Sequence, residues 1–219
     1  MDKYHSPQVD VAVRLNTNES PLPVPPEWIA DVRRAVDDVA WNRYPDRSAR
    51  ILRQAIAARH GVTAENVFAA NGSNEVLQTL LLTYAGAGRT VATFEPTYQL
   101  HAHLARISGA TVVSGQRDSD FCLQESEILR VLETAQPHVV FLCNPNNPTG
   151  RLEPRRNIEL VIANAPGLII IDEAYAEFSD WSALELVAEH SNVVVTRTFS
   201  KTWSLAALRL GYAIAPTRI

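Results

Sequence analysis

Cysteine, basic charge and long apolar runs are all scarce in this sequence, and each shortage removes a class of protein. Two cysteines in 219 residues, Cys122 and Cys143, are too few for a disulfide framework and lack zinc-ligand spacing. A reduced, cytoplasmic setting is the simplest reading. Lys and Arg total 20 against 24 Asp and Glu, a formal net charge of −4. A nucleic-acid surface would normally show a basic patch, although a small local pocket for a phosphate is compatible with this balance. The purely apolar runs are only a few residues long, far below the roughly 20 that span a bilayer. The start, Met1-Asp2-Lys3-Tyr4-His5-Ser6, has no apolar stretch after a basic one, so no signal peptide is expected. Glycine and proline are not in excess, which argues against a collagen-like or disordered chain. What is present is 46% hydrophobic residues, enough to bury the core of one large domain.

Pro21, Pro23, Pro25 and Pro26 crowd the first part of the chain. Proline fixes φ and donates no backbone hydrogen bond, so this stretch reads as an extended arm. Helical patterns follow at Glu27–Val39 and Ser48–His60, the second stopped by Gly61. The chain then alternates. Apolar runs at Val67–Ala70, Thr90–Phe94, Thr111–Val113, His138–Cys143, Leu168–Ile171, Val193–Thr196 and Leu210–Ala213 read as strands. Helical patterns at Glu75–Tyr84, Tyr98–Ile107, Glu125–Ala135, Pro154–Ala163 and Ser182–His190 fill most gaps. Leu168-Ile169-Ile170-Ile171 is apolar at every position, which fits a strand covered on both faces. The pattern predicts an α/β domain with a mostly parallel sheet sandwiched by helices. In such sheets ligands sit beyond the carboxyl ends of the strands.

Four segments at those ends carry polar chemistry. Asn71-Gly72-Ser73-Asn74-Glu75 lies between a strand and a helix. Gly72 permits a tight turn and Ser73 reads as an N-cap, so the helix start suits a phosphate. An ordinary capped turn would look the same. Cys143-Asn144-Pro145-Asn146-Asn147-Pro148-Thr149-Gly150 is a rigid turn with three asparagines where a ligand would sit. Asp172-Glu173-Ala174-Tyr175 puts an acid at the end of a buried strand, where it needs a partner such as a protonated ring nitrogen. A helix N-cap is the other reading. Thr198-Phe199-Ser200-Lys201, with Arg209 eight positions on, combines hydroxyls and a guanidinium into a phosphate clamp. An embedded lysine there has a lowered pKa and attacks aldehydes.

Taken together, N-P-N-N-P-T-G, D-E-A-Y and S-K-T-W-S-L-A-A-L-R-L-G-Y resemble the fold-type-I pyridoxal-phosphate aminotransferases of class I/II. The early L-N-T-N-E-S-P and R-Y-P-D resemble the histidinol-phosphate aminotransferase branch. The resemblance implies pyridoxal 5'-phosphate as cofactor, transfer of an amino group between glutamate and a phosphorylated imidazole keto compound, and a homodimer in the cytoplasm. By residue, it implies that Lys201 binds the cofactor and moves the proton, and that Asp172 pairs with the pyridine nitrogen. It gives Tyr175 and Asn147 to the phenolic oxygen and Tyr98 to the ring face. Ser73, Asn74, Thr198, Ser200 and Arg209 form the phosphate cup, and Tyr44 reaches into the partner's site. The six histidines read as non-catalytic, and His101 departs from the branch, which often has an aromatic there.

The expected organisation is an N-terminal arm and first helix over residues 1–44 and a large cofactor-binding domain over 45–219. The sequence ends at Ile219, where family members continue into a small C-terminal domain with the arginine for the substrate's carboxylate. The resemblance therefore implies that this domain is missing, and that the 219 residues would bind cofactor with little or no turnover. Alternatives are an aromatic-amino-acid or other class I/II aminotransferase, a related phosphate-ester decarboxylase, or a non-catalytic cofactor-binding fragment.

Overall fold

The computed structural model describes residues 9–219. The start of the arm, with Lys3 and the Met1–Ser6 segment, lies outside them. From residue 9 to 25 the proline-bearing arm forms neither helix nor strand. Helix α1 (Pro26–Asp37) follows, begins with the proline that its first turn tolerates, and buries none of its residues. Helix α2 (Arg50–His60) ends at Gly61, whose φ of +66° is the left-handed cap expected from its position.

The rest alternates as the apolar runs predict: β1 (Val67–Ala70), α3 (Ser73–Tyr84), β2 (Thr90–Glu95), α4 (Leu100–Ile107), β3 (Thr111–Gln116), α5 (Glu125–Ala135), β4 (Val139–Cys143), α6 (Arg155–Asn164), β5 (Leu168–Asp172), α7 (Leu184–Val187), β6 (Val193–Thr198) and β7 (Gly211–Ile214). The strands form one sheet in the order β1-β7-β6-β5-β4-β2-β3. Strand β7 is antiparallel to both of its neighbours, and every other pairing is parallel. The other six strands therefore point one way, and the carboxyl ends of β1, β4, β5 and β6 share one edge.

The apolar runs are continuous because both faces are covered. Along β5, Ile169 and Ile171 join the core under α2, α5, α6 and α7, while Leu168 and Ile170 join the core under α3 and α4. The same alternation divides Val140 and Leu142 from Val139 and Phe141 on β4. Two local expectations change. The helix predicted over Ser182–His190 shrinks to four residues, Leu184–Val187. Ser73 is the first helical residue rather than the N-cap. Gly72 holds the cap position, and the Glu75 carboxylate accepts from the Asn71 N–H at 2.6 Å.

Candidate active site

The loops that leave the shared carboxyl edge meet around a cavity of about 590 Å³, closed on one side by arm residues Asn16 to Glu19. The turn after β1 contributes Ser73 and Asn74, the first two residues of α3. Gly72 makes this turn with φ +88°, and a Cβ there would lie 2.5 Å from Arg209 Nη2. Glycine thus supplies both the backbone shape and the room for the guanidinium. At Gly211 a Cβ would overlap the backbone nitrogen of Ser73, so a glycine is also what lets β7 run beside the start of α3.

The loop after β4 divides its asparagines between structure and cavity. Asn144 Oδ1 accepts from the Glu153 N–H at 2.9 Å. Asn146 accepts from Thr97 Oγ1 at 2.9 Å and donates to Pro96 O at 3.0 Å and Thr149 Oγ1 at 2.8 Å. Both are buried and hold the loop together. Only Asn147 of the three lines the cavity, so the expectation that all three face a ligand is corrected. Cys143 also lines it, but burial pushes its thiol up, away from thiolate character.

At the end of β5, Asp172 is 2% exposed. Its Oδ2 meets His101 Nε2 at 2.8 Å, and Oδ1 accepts from the Ala174 N–H at 3.1 Å. His101 is fully buried, stacked on Phe141 at 4.4 Å and met edge-on by Tyr98 at 5.4 Å. Among the described residues its Nδ1 has no hydrogen-bond partner. Tyr98 lines the cavity beside this stack.

The next residue, Glu173, points into a different network. Its buried carboxylate accepts from Arg197 Nη2 at 2.7 Å, Ser182 Oγ at 2.7 Å and the Ala183 N–H at 2.6 Å. Burial raises the Glu173 pKa, and the Arg197 guanidinium opposes that rise. This pair ties the end of β5 to β6, one residue before Thr198.

The β6–β7 loop supplies the cationic side of the cavity. Thr198 Oγ1 donates to Ser200 Oγ at 3.0 Å, and Arg209 Nη1 donates to Ser200 Oγ at 3.3 Å and Ala206 O at 3.1 Å. Arg209 has no carboxylate partner among the described residues. Lys201 Nζ donates to Thr17 O at 2.9 Å and Asn18 O at 3.2 Å, and lies 5.8 Å from the centre of the Tyr175 ring. Its pKa is lowered, first by burial and then by Arg209, against the opposing charges of Glu19 and Asp172.

Ten of the eleven site residues picked from sequence line this cavity: Lys201, Asp172, Tyr175, Ser73, Asn74, Tyr98, Asn147, Thr198, Ser200 and Arg209. Tyr44 does not. It is fully exposed and lies outside the cavity. Sequence reasoning missed Asn18 and His101. His101 follows Tyr98 by three residues, about one helical turn, and that spacing was the available signal. Asn18 sits in the L-N-T-N-E-S-P string, which pointed to the family branch but placed none of its residues in the cavity.

The arrangement can hold a flat molecule with an anion at one end and a protonatable nitrogen near Asp172. The family described as aminotransferase class I and II matches residues 10–219. A histidinol-phosphate aminotransferase of Thermobifida fusca (strain YX) is 45% identical over 97% of this chain and 60% of its own length. One from Corynebacterium diphtheriae is 43% identical over 97% of this chain and 61% of its own length. The crystal structure of histidinol-phosphate aminotransferase from Sinorhizobium meliloti in complex with pyridoxal-5'-phosphate superposes with a TM-score of 0.84. It is 28% identical, covering 92% of this chain and 55% of that one. The chain thus spans about 60% of the length of these curated relatives.

Proposed function

The chain belongs to the aminotransferase class I and II family, and from that premise we propose that it carries the cofactor site of a pyridoxal-phosphate-dependent transaminase acting on histidinol phosphate and 2-oxoglutarate. The observation that carries this reading is the company of Lys201. A half-buried amine with a lowered pKa shares one cavity with a buried acid, Asp172, and a guanidinium, Arg209, without a carboxylate partner among the described residues. The relatives' names support the substrate.

The donor set fits pyridoxal phosphate. Arg209, Ser200, Thr198 and the start of α3 at Ser73 and Asn74 suit a phosphate: a helix N-terminus and a charge-assisted donor together favour an anion. Asp172 suits a protonated ring nitrogen, and Tyr98 suits a ring face. When bound, the cofactor supplies an aldehyde and an electron-withdrawing ring. Lys201 would be the residue that bonds to the aldehyde carbon, a role its buried position suits because a nucleophilic amine must be uncharged. With its amine free, Lys201 would be the base for the proton on the substrate's α-carbon. Asp172 would face the ring nitrogen and hold its proton, with the His101 hydrogen bond orienting the carboxylate. Tyr175 and Asn147 would hydrogen-bond the phenolic oxygen.

The same reading makes the protein a homodimer in which Tyr44 enters the partner's cavity. Its full exposure in one chain, with Trp41 and Ile51 also exposed, supports this. No helix of the described residues is long and apolar enough to cross a membrane. The free thiols Cys122 and Cys143 support a cytoplasmic setting.

The test begins with cofactor added to the protein. An absorbance band should appear, and borohydride reduction should fix the label on Lys201 in peptide mapping. In a version extended to the length of the relatives, transamination of histidinol phosphate should then exceed that of aromatic amino acids, while the 219 residues alone should turn over little or not at all. A reduced adduct on another lysine would refute the site, and a preference for an aromatic amine would refute the substrate.

A further inference from the structure

Asn18 belongs to none of the motifs that singled out the cavity, yet the fold ties it to two groups there. Its Nδ2 donates to Tyr175 Oη at 2.9 Å, and its own carbonyl accepts from Lys201 Nζ at 3.2 Å. Its backbone has φ +51°, a left-handed conformation uncommon outside glycine but tolerated best by asparagine and aspartate. Asn18 also lines, with Tyr175 and Asn147, a second cavity of about 210 Å³. Two residues on, Ser20 Oγ pairs with Ser204 Oγ of the Lys201 loop at 2.8 Å, which holds this part of the arm down.

A phenol carries one proton. When Asn18 donates to the Tyr175 oxygen, that oxygen accepts on the arm side and its own proton serves an acceptor elsewhere. A hydroxyl that accepts one hydrogen bond is polarised and donates the next more strongly, by roughly 10–30%. We propose that Asn18 is a positioning residue for Tyr175: its amide aims the phenol proton at the cofactor's phenolic oxygen and strengthens that hydrogen bond. The consequence is a lower pH at which the cofactor-bound Lys201 nitrogen gives up its proton, because a stronger donor draws off the negative charge that would hold the proton. This inference rests on the reading that Lys201 carries pyridoxal phosphate. The charged groups facing Lys201 are Glu19 from the arm, Asp172 from β5 and Arg209 from the β6–β7 loop. A change at Asn18 leaves all three in place.

The experiment is a spectrophotometric pH titration of the protein loaded with pyridoxal phosphate. Asn18→Gly removes the amide while accepting φ +51°, so the path of the arm is kept. Its titration midpoint should rise by about 0.1–0.7 pH units, the polarisation share of one charge-assisted hydrogen bond. Asn18→Asp, whose carboxylate only accepts, should turn the phenol proton toward the arm and raise the midpoint at least as far as Tyr175→Phe does. In a Tyr175→Phe background, Asn18→Gly should move the midpoint no further. An unchanged midpoint in Asn18→Gly, with or without a lower thermal midpoint, overturns the proposal, and so does an equal shift in both backgrounds. A wild-type protein that shows no titrating band overturns the cofactor reading and this inference with it. A wild type that titrates beside an unmoved Asn18→Gly overturns this inference alone.

Discussion

At the scale of single residues, Asp172 is a costly placement. A carboxylate 2% exposed at the end of an apolar strand persists because His101 Nε2 and the Ala174 N–H satisfy it. Replacing Asp172 by Asn keeps the shape and removes the charge. A charge-assisted hydrogen bond is worth roughly 1.5–3 kcal/mol, so half-transamination should slow by at least about tenfold while cofactor binding stays detectable. Stopped-flow absorbance with histidinol phosphate, on a version extended to the length of the relatives, measures this, and an unchanged rate would remove Asp172 from its role. A second titratable group acts on stability instead. His60, bonded to Tyr212 Oη at 2.8 Å, has its pKa lowered to about 4 by burial, then by Arg197 and Arg59. The unfolded chain takes up a proton there near pH 6.5 and the folded protein only near pH 4. This part of the stability is present above pH 6.5 and is lost as the pH falls toward 4. His60→Gln keeps a polar partner for Tyr212 without titrating. Its urea midpoint should therefore fall less between neutral and acidic pH than that of the wild type.

At the scale of elements, the site depends on how closely the start of α3 approaches the β6–β7 loop. Gly72→Ala tests this junction. The new Cβ would meet Arg209 Nη2 at 2.5 Å, and alanine is strained at φ +88°. The guanidinium must give way, so pyridoxal phosphate should bind about tenfold more weakly or worse, while the far-ultraviolet circular dichroism stays that of the wild type. Equal affinity in the variant would mean that Arg209 does not hold the phosphate. The loop after β4 relies on another buried junction, the ion pair between Arg117 and Glu153, whose side chains are 1% and 2% exposed. It anchors the stretch that returns from Asn147 to α6, and Arg117 also donates to Phe121 O at 3.2 Å.

At the scale of the whole molecule, the two faces of the sheet are finished and residues 9–51 are not. Trp41 is 79% exposed, Ile51 78%, and α1 buries nothing. A second copy of the chain would cover such residues, and the double substitution Trp41→Glu with Ile51→Glu should turn a dimer into a monomer in sedimentation velocity. The unchanged circular dichroism expected of a surface substitution would separate this from unfolding. A wild-type protein that sediments as a monomer at micromolar concentration would refute the homodimer.

The sequence by itself determined the order of elements and most of the cavity. Short continuous apolar runs alternate with helical periods of about 3.6, and runs such as Leu168–Ile171 fit strands that helices cover on both faces. Because those strands run parallel, the residue that ends each run falls on one edge. That brings the segments bearing Ser73, Asn147, Asp172 and Lys201 together, while the role of each residue within its segment is what the family resemblance implies. Only the tertiary structure decided which neighbours face the cavity and which face away. Asn144 and Asn146 look identical to Asn147 in the string, yet they spend their amides on Glu153, Thr97, Pro96 and Thr149. Glu173 turns away from Asp172 because successive side chains leave a strand on opposite faces. Asn18 and His101 reach Tyr175 and Asp172 across separations of 157 and 71 residues. No local period encodes such contacts. They exist only once the sheet has fixed where its edge lies and the arm has been laid across it.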